Sequence, residues 1–356
     1  MQRSTRLTRP ARGRTTQKQI AELAGVSQAT VSLVLNGVEG NGVRIPEETR
    51  QRVLDVINST IYVADPAARR LAGVGNKILG VFTYEPAFPK ESLDFYTPLL
   101  TGIESEAERL GCDLLLFTSA RVEDGHRHIF QSNNRIGLAD GCLLLGREID
   151  REDLVRLVAE NYPFVAIGRR DVEGVPYVGV DYAGATKRLV QSALERGHRR
   201  FLYVHVDSDS ESVRDRRAGL ESGLALATDA SLGLRVGNDS AIEVIVAEIA
   251  ETGTTAVFVE DPPLSVGIAR ALEAAGLSVP GDVSIVVLGD TSRLDVDRRD
   301  FTRLLPPRIE LGQRATELLN TILTGTDQMP AEQSRILLEC PIELGTTLAP
   351  ANGAVA

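Results

Sequence analysis

Cysteine is scarce in this sequence, and its placement suggests neither a metal site nor a disulfide framework. The three cysteines, Cys112, Cys142 and Cys340, are far apart and odd in number. Zinc sites and disulfide scaffolds need paired spacings, so neither is expected. We expect buried, reduced thiols, and neither a metal nor a cofactor.

Long apolar stretches and an export signal are missing as well. No apolar run approaches the ~18 residues needed to cross a bilayer. The first ten residues are basic but lack the apolar segment of a secretory signal. We therefore expect a cytoplasmic protein without a membrane partner. Its 356 residues, 43% of them apolar, are enough for two or three globular domains.

The motifs of common nucleotide-dependent enzymes are also absent. No Gly-x-Gly-x-x-Gly follows a predicted strand, and there is no P-loop. The four histidines, His126, His128, His198 and His205, form neither a nucleophile motif nor a metal-ligand spacing. An enzyme is therefore not expected. A Rossmann-like enzyme and a solute-binding protein stay open as alternatives, although the latter would need an export signal and no basic head.

The net charge of -10 is distributed unevenly along the chain. Residues 1–75 sum to +5, and the rest sums to -15. A basic head attracts a polyanion and an acidic body repels one, so nucleic acid should meet the first 75 residues. Residues 1–15 contain five arginines and almost no apolar residue, which predicts a flexible basic arm.

A helical pattern begins directly after this arm. Thr16 and Gln19 have the spacing of a capping box. Ile20, Leu23 and Ala24 then fall on one apolar helix face. The pattern predicts a short amphipathic helix whose apolar side packs inward.

Two further helices follow within the next 35 residues. Gly25 suits the left-handed residue that ends a helix, and Ser27 is a good N-cap for a second helix through Asn36. Two short helices around a glycine turn indicate a helix-turn-helix. Pro46 suits the start of a third helix.

From Lys77 onward, short apolar segments alternate with amphipathic ones. Strands are predicted at Ile78–Tyr84, Asp113–Thr118, Gly141–Leu145, Phe164–Gly168, Phe201–Val206, Ala256–Val259 and Ser284–Leu288. Helices are predicted at Leu99–Leu110, Glu152–Asn161, Ala183–Arg196, Val213–Ala227, Ala241–Glu251, Pro263–Ala275 and Ile309–Leu323. Such alternation indicates parallel sheets covered on both faces. Over about 270 residues, two doubly wound lobes fit better than one sheet.

The segment from Thr16 to Asn36, with Leu-Ala-Gly-Val-Ser and Ala-Thr-Val-Ser in it, closely resembles the N-terminal motif of the lactose repressor (LacI/GalR) family. Similar segments follow in family order at Pro46–Val53, Asp65–Ala72, Asp140–Gly141, Val178–Asp181, Arg196–Arg200, Val279–Ser284 and Leu311–Gly312. The resemblance implies an α/β protein with a three-helix helix-turn-helix head and a two-lobed, doubly wound, periplasmic-binding-protein-like sensor. The implied domains are the arm (1–15), a DNA-binding domain (16–60), a hinge (61–76) and an effector-binding and dimerisation domain (77–350).

The resemblance also implies a function. It indicates a sequence-specific transcriptional regulator, in the first place a repressor, that binds a near-palindromic double-stranded operator. Two heads on a two-fold axis can read two half-sites, so we expect a homodimer or a dimer of dimers. A small-molecule effector in the cleft between the lobes would control it. The sequence leaves open the effector's identity and whether it releases or promotes DNA binding.

The second helix of the head is the predicted reading helix. With its apolar side packed inward, four residues stay free for the major groove: Gln28, Ala29, Ser32 and Leu33. Four others carry short polar groups near helix ends that suit phosphate contacts: Thr16, Ser27, Thr30 and Asn36. For Thr16 and Ser27, helix capping is an equally good interpretation.

Leu33 stands where many family members have an arginine that reads guanine. A leucine cannot donate a hydrogen bond, but it can contact the methyl group of thymine, so A·T pairs should be tolerated or preferred there. The alternative is that Leu33 faces protein and reads nothing.

The predicted hinge is too short to form a stable helix alone. The resemblance implies that it folds against the partner subunit's hinge and the DNA minor groove, with Ala68 and Leu71 at the groove and Leu71 as a wedge between base steps. A plain surface linker is the alternative.

In the sensor, the resemblance places five residues at the effector: Phe95, Arg169, Arg216, Glu260 and Asp290. Arg216 matches an arginine that commonly contacts the effector, and its guanidinium suits a hydroxyl-rich or carboxylated ligand. An ordinary surface arginine is the alternative. The chain departs from the family pattern at Val259–Asp261, at Gly289, where an aspartate is usual, and at Thr302–Pro307. These departures put a simple sugar effector in doubt.

Overall fold

The computed structural model describes residues 15–36, 45–60, 75–85, 93–118, 120, 122–123, 126–130, 135–225, 227–290, 299–325 and 329–352. The chain divides into two compact units, Met1–Asn76 (the head) and Lys77–Ala356 (the body). Ala68 and Leu71 lie outside the described residues, as do most of the predicted arm and hinge. Among the described helices, none has the length and apolarity of a membrane span.

Three helices form the head: α1 (Gln17–Ala24), α2 (Gln28–Asn36) and α3 (Glu47–Ser59). The predicted capping box is confirmed, because Thr16 Oγ1 accepts from the Gln19 N–H at 3.3 Å while the Thr16 N–H donates to Gln19 Oε1 at 2.8 Å. Gly25 ends α1 in the left-handed conformation, with φ 66°. Local sequence chemistry thus determines where α1 begins and ends.

The head has a small apolar core with contributions from all three helices. Its buried members are Ile20, Ala21, Ala24, Val31, Val34 and Val53. The prediction that Leu23 packs inward is wrong, since its side chain is 65% exposed. Ile20, Ala21 and Ala24 define the buried face of α1, and Leu23 lies roughly a third of a turn away from its centre.

The body contains two six-stranded sheets, one in each lobe. The N-lobe sheet consists of β1 (Ile78–Thr83), β2 (Asp113–Phe117), β5 (Gly141–Leu145), β6 (Phe164–Ile167), β7 (Tyr177–Val180) and β13 (Arg335–Leu338), in the order β13-β7-β6-β5-β1-β2. The C-lobe sheet consists of β8 (Arg200–His205), β9 (Ser231–Val236), β10 (Ala256–Val259), β11 (Ser284–Val287), β12 (Thr302–Leu304) and β14 (Ile342–Glu343), in the order β14-β12-β11-β10-β8-β9. All pairings in these two sheets are parallel except that of β12 with β14.

Helices cover both faces of each sheet. They are α4 (Leu93–Leu110), α5 (Arg151–Ala159), α6 (Tyr182–Glu195), α7 (Glu211–Leu224), α8 (Ile242–Thr252), α9 (Pro262–Ala274), α10 (Arg308–Thr324) and the short α11 (Ala331–Ser334). A two-stranded ribbon, β3 (Val122–Glu123) with β4 (His126–Arg127), lies in the N-lobe. Strands β5, β6, β10 and β11 are buried along their whole length, as expected where both faces of a parallel sheet are covered.

The seven predicted strands of the body are all present, with ends shifted by at most about a residue. Among the described residues, seven further strands were not predicted: β3, β4, β7, β9, β12, β13 and β14. The last three have only two to four residues each, and β9 is a half-exposed edge strand. Apart from β7, which is buried along its four residues, none of these offers the continuous apolar run that identifies a buried strand.

The chain crosses between the lobes three times, after β7, after β12 and after β13. The crossings are bonded to one another: the Asp181 N–H donates to Leu338 O and the Leu305 N–H to Pro341 O, both at 2.9 Å. After the first crossing, α6 packs on α7 in the C-lobe. After the second, α10 packs closely on α4 in the N-lobe, where a Cβ at Gly312 would lie 2.3 Å from Leu99 O. These three segments connect the two lobes of the body.

Candidate functional site

In the head, the predicted reading helix α2 presents a mixed outer face. Gln28 and Ala29 are exposed, whereas Thr30, Ser32 and Leu33 are half-buried. The whole set retains some exposure, which a base-reading face requires. Asn36 belongs to α2, but its side chain lies outside the described residues.

Helix capping accounts for Ser27 at the start of α2 and Thr16 at the start of α1. Ser27 Oγ accepts from the Thr30 N–H at 3.1 Å and shares a second hydrogen bond with Thr30 Oγ1 at 2.9 Å. Thr16 caps α1 in the same way. A capping hydroxyl keeps further hydrogen-bonding capacity, so both residues can cap a helix and still contact a phosphate.

In the body, a cavity of about 290 Å³ lies between the lobes. Most of its lining follows the carboxyl ends of strands: Gly146 and Arg147 after β5, residues 168–170 after β6, and residues 260–262 after β10. In each sheet the strand order reverses at the first strand of the lobe, between β1 and β5 or between β8 and β10. Open parallel sheets bind ligands at such switch points.

Aliphatic side chains make up much of the cavity wall. They are Leu99, Leu145, Ile167, Val180, Val206, Val213, Pro262, Pro306 and Leu311. Two tyrosines, Tyr96 and Tyr182, add aromatic surface. The cavity therefore suits a ligand with a substantial apolar part.

Arg216, predicted to bind the effector, lines the cavity and is held firmly. Its Nε donates to Leu288 O and its Nη1 to Ser212 O, each at 3.0 Å. Its guanidinium carbon lies 3.8 Å from the centroid of the Tyr182 ring, a cation–π geometry. Neither carbonyl neutralises the charge, so Arg216 keeps a positive potential in the cavity.

Three successive residues of the N-lobe, Arg169, Arg170 and Asp171, form ion pairs with α7 of the C-lobe. Arg169 binds Asp215, with Nε to Oδ2 at 2.8 Å and Nη2 to Oδ1 at 2.7 Å. This two-pronged contact raises the pKa of Arg169. The contact also bridges the lobes directly beside the cavity.

The second pair is the most buried. Arg170, whose side chain is only 4% exposed, donates to Glu211 Oε2 at 3.0 Å and to the carbonyl of Gly146 at 2.6 Å. Burial lowers the pKa of Arg170, and Glu211 opposes that shift. The third pair reverses the charges: Arg214 of α7 donates to Asp171 at 2.7 Å in an exposed position.

The acidic wall of the cavity follows β10. Glu260 is buried and accepts from the Tyr203 hydroxyl and from the Val206 N–H at 3.0 Å, so its carboxylate fixes the end of β8. Asp261 is the N-cap of α9, but its side chain accepts no capping hydrogen bond. The two residues after it, Pro262 and Pro263, have no N–H to donate. Burial raises the pKa of Asp261, and nearby Arg147 opposes that shift.

The predicted effector residues are only partly brought together. Arg169, Arg216 and Glu260 line the cavity. Asp290 reaches the lining indirectly, through a 3.5 Å ion pair with Arg308, while its neighbour Gly289 lines the cavity itself. The side chain of Phe95 lies outside the described residues.

Five charged lining residues were not predicted to bind the effector: Arg147, Arg170, Asp215, Asp261 and Arg308. Three of them directly follow a predicted strand, and that position is the signal that could have identified them.

The departures from the family pattern at Gly289 and after β10 lie next to each other in the structure. A Cβ at Gly289 would lie 3.1 Å from Pro262 Cγ, so the proline ring packs where a side chain would begin.

One cluster in the N-lobe has the composition of a metal site. Atoms of His128, Asp150 and Asp153 lie within 4.8 Å of one another. The carboxylates already have structural partners, since Asp150 accepts from the Asp153 N–H at 2.9 Å and Asp153 accepts from the Tyr84 hydroxyl and the Ile129 N–H. These contacts account for the cluster as a brace between α5 and the sheet.

Comparison with known proteins agrees with both units. The pattern described as "Bacterial regulatory proteins, lacI family" matches residues 16–65. The pattern described as "Periplasmic binding protein-like domain" matches residues 190–347. A helix-turn-helix head with a hinged, two-lobed body of this type defines a DNA-binding transcriptional regulator.

Sequence similarity to known proteins extends over most of the chain. Catabolite control protein A of Priestia megaterium is 28% identical over 309 residues, which cover 84% of this chain and 90% of the relative. Residues 16–65 thus match the lacI family of bacterial regulatory proteins, and the similar proteins include the HTH-type transcriptional regulator CelR of Thermobifida fusca, 27% identical over 339 residues.

Solved structures show the same fold. The lac repressor dimer bound to operator and the anti-inducer ONPF has a TM-score of 0.73 at 23% identity, covering 95% of this chain and 100% of that one. The transcriptional regulator CelR in complex with cellobiose has a TM-score of 0.62 at 24% identity, covering 94% and 100%. The predicted fold, a helix-turn-helix head on a two-lobed, periplasmic-binding-protein-like body, is thereby confirmed.

Proposed function

We propose that this regulator is a cytoplasmic repressor that binds a near-palindromic operator as a homodimer and is controlled by a small molecule in the inter-lobe cavity. The cavity is the observation that carries the proposal, because it joins both lobes at the carboxyl ends of their strands. A ligand there contacts both lobes, so it can change their relative position. The operator and ligand complexes of the similar structures support this assignment.

On the DNA side, we assign base reading to the outer face of α2. Gln28 and Ala29 are exposed there, and the amide of Gln28 suits adenine. Ser32 and the half-buried Leu33 complete this face. Thr16, Ser27, Thr30 and Asn36 take the phosphate contacts, which position the helix without specifying the sequence. Ala68 and Leu71 of the hinge are assigned to the minor groove, with Leu71 as the wedge.

For the dimer, we assign the edge strands β2 and β9, which occupy the equivalent edge of each lobe. Both expose apolar side chains, Leu114 on β2 and Leu234 and Val236 on β9, and the nearby α8 exposes Val244. Exposed apolar edge strands favour association. A second copy of the chain along this side would cover them and set two heads for two half-sites.

Selection from a random DNA library tests this function. We expect a near-palindromic site with two half-sites, bound by a dimer in sedimentation velocity. Leu33→Arg should shift one position of each half-site towards guanine, since a bidentate arginine supplies about 1–3 kcal/mol of base discrimination.

The exposed Leu23 on α1 provides the matched control. Leu23→Arg adds the same charge to the head outside α2, so it should change affinity without changing base preference. The assignment of α2 fails if Leu33→Arg leaves base preference unaltered at every position. Absence of any selected site would contradict the operator-binding function itself.

A further inference from the structure

The charges that line the inter-lobe cavity are almost all used by the protein itself. Arg169 and Arg170 are paired with carboxylates of α7. Arg308 is paired with Asp290, and Glu260 is held by two donors of its own lobe. Such groups shape the cavity, but most of their bonding capacity is already spent.

Among the described residues, Arg216 has no carboxylate partner but donates to the carbonyls of Leu288 and Ser212. Arg147 and Asp261 are the exceptions. Within the described residues, neither side chain makes a hydrogen bond or an ion pair. They come from opposite lobes, Arg147 after β5 and Asp261 after β10. The backbone of Arg147 is nevertheless fixed, because its N–H donates to Glu85 Oε1 at 2.9 Å. Arg147 and Asp261 are thus a cation and an anion from opposite lobes, close enough for Arg147 to oppose the rise in the pKa of Asp261 but not joined by a direct ion pair.

Asp261 is free for a reason that can be read from its neighbours. An aspartate at an N-cap normally accepts a hydrogen bond from the second or third helical residue. Here Pro262 and Pro263 occupy the first two positions of α9, and the carboxylate makes no capping contact. Its position at the positive end of a helix still favours the charged form, while burial in the cleft works against it.

A ligand that fills the cavity would cover both charges. Covering a charge without a partner is costly, so the ligand must bring an anion to Arg147 and a hydrogen-bonding cation to Asp261. The lining also contains aliphatic side chains from both lobes, such as Leu145, Ile167 and Val213. A molecule covered in hydroxyl groups would leave many of them facing apolar carbon.

We propose that the cavity binds a small zwitterion with an aliphatic body, in the class of aliphatic amino acids and their short peptides. Its carboxylate binds Arg147 of the N-lobe and its ammonium group binds Asp261 of the C-lobe. The inference rests on the proposed function insofar as that function makes this cavity the effector site. Because each end of the ligand contacts a different lobe, the zwitterion also bridges the two walls.

Calorimetry on the full-length protein tests the proposal with a panel of aliphatic amino acids and their dipeptides, and with glucose and cellobiose. We expect at least one zwitterion to bind and both sugars to bind more weakly or not at all. The counterparts of that zwitterion that lack either the amine or the carboxylate should bind at least about tenfold more weakly, the usual effect of one lost charged hydrogen bond. For leucine, these counterparts are 4-methylpentanoate and 3-methylbutylamine.

Two variants assign the ends of the ligand. Asp261→Asn should lower the affinity for the zwitterion about tenfold or more and leave that for the amine-free counterpart unchanged. Arg147→Gln should also lower the affinity for the zwitterion, but it should leave that for the carboxylate-free counterpart unchanged. Matched controls carry the same substitutions at exposed pairs outside the cavity: Asp229→Asn, next to Arg199, and Arg314→Gln, next to Glu317. Both controls should bind as the unaltered protein does.

The proposal is overturned if no zwitterion of the panel binds, if a sugar binds more tightly, or if the two variants affect all probes equally. Operator binding by the same samples separates this result from the proposed function. If the protein binds its operator and a sugar binds in the cavity, the proposed function stands and only the zwitterion proposal fails. Loss of operator binding in the unaltered protein would contradict the proposed function instead.

Discussion

The sheets of the two lobes have the same strand order, but the lobes carry mainly opposite charges where they face each other. Each sheet begins with a strand that is flanked by the second and third strands of its lobe. The residues after the strands differ. The facing groups are predominantly basic in the N-lobe (Arg147, Arg169, Arg170) and acidic in the C-lobe (Glu211, Asp215, Glu260, Asp261). The repeated fold thus supplies the cleft, and the loops supply an attraction that closes it.

Two cations of α7, Arg214 and Arg216, depart from this pattern, and the pairing of Arg214 is informative. In the pair between Asp171 and Arg214 the N-lobe supplies the anion and the C-lobe the cation. Three successive N-lobe residues with charges +, + and − meet α7 residues of charge −, − and +, so a shifted register would bring like charges together. This order of charges therefore favours one relative position of the lobes.

The largest effect is expected at the most buried contact. Arg170→Met removes the partner of Glu211 and of two backbone carbonyls, those of Gly146 and Ile167. Breaking a buried ion pair from one side costs about 3–5 kcal/mol of unfolding free energy. Urea unfolding measures this cost. Arg217→Met, at an exposed pair with Glu221, is the matched control and should change little. An Arg170 variant as stable as the control would mean that this contact does not hold the lobes.

A second prediction concerns pH and a histidine of the C-lobe. His198 contacts Ala349 O through Nε2 at 2.8 Å and Thr255 Oγ1 through Nδ1 at 3.0 Å, which fastens the C-terminal segment to the C-lobe. Burial lowers the pKa of His198 below its ordinary value of 6.5. The unfolded chain therefore takes up a proton first, so stability is complete above pH 6.5 and falls as pH drops below it.

His198→Gln should remove this component of the pH dependence, which amounts to at most about 1.4 kcal/mol per pH unit. Thermal unfolding between neutral and mildly acidic pH measures it. The unaltered protein, measured under the same conditions, is the reference for this slope. Identical slopes for the unaltered protein and His198→Gln would show that this histidine does not set the pH response.

The smallest effect is expected at the exposed pair. Arg214 and Asp171 are 47% and 41% exposed, so Arg214→Met should cost less than about 1 kcal/mol. Salt should remove even that, since exposed pairs are screened. Urea unfolding at low and high salt checks both statements. A cost that equals that of Arg170→Met would remove the distinction between buried and exposed contacts across the cleft.

Sequence reasoning was most accurate where local chemistry decides the structure. The capping box of Thr16 and Gln19 and the left-handed Gly25 depend on neighbours within a few residues, and both are present as predicted. Strands β5 and β10 were predicted with their observed bounds because each is a continuous apolar run. Leu23 was misplaced because α1 buries the small Ala21 instead, a choice that depends on packing against two other helices.

The cleft was predictable only in part. Family resemblance pointed to Arg169, Arg216 and Glu260, which line the cavity. Arg170 could not be found in this way, because its partner Glu211 is 41 residues away and the two meet only when the lobes are assembled. Pro262 and Pro263 are a local signal that the N-cap contact of Asp261 is weakened, but the burial of its carboxylate near Arg147 depends on the fold.

A charge swap across the cleft tests most directly whether opposite charges hold the lobes together. Arg169→Asp places an anion against Asp215, and Asp215→Arg in the same chain restores an opposite pair. Small-angle scattering of the full-length protein should show an expanded body for the single variant and the original dimensions for the double variant. Unchanged dimensions in the single variant, or no recovery in the double, would contradict closure by complementary charge.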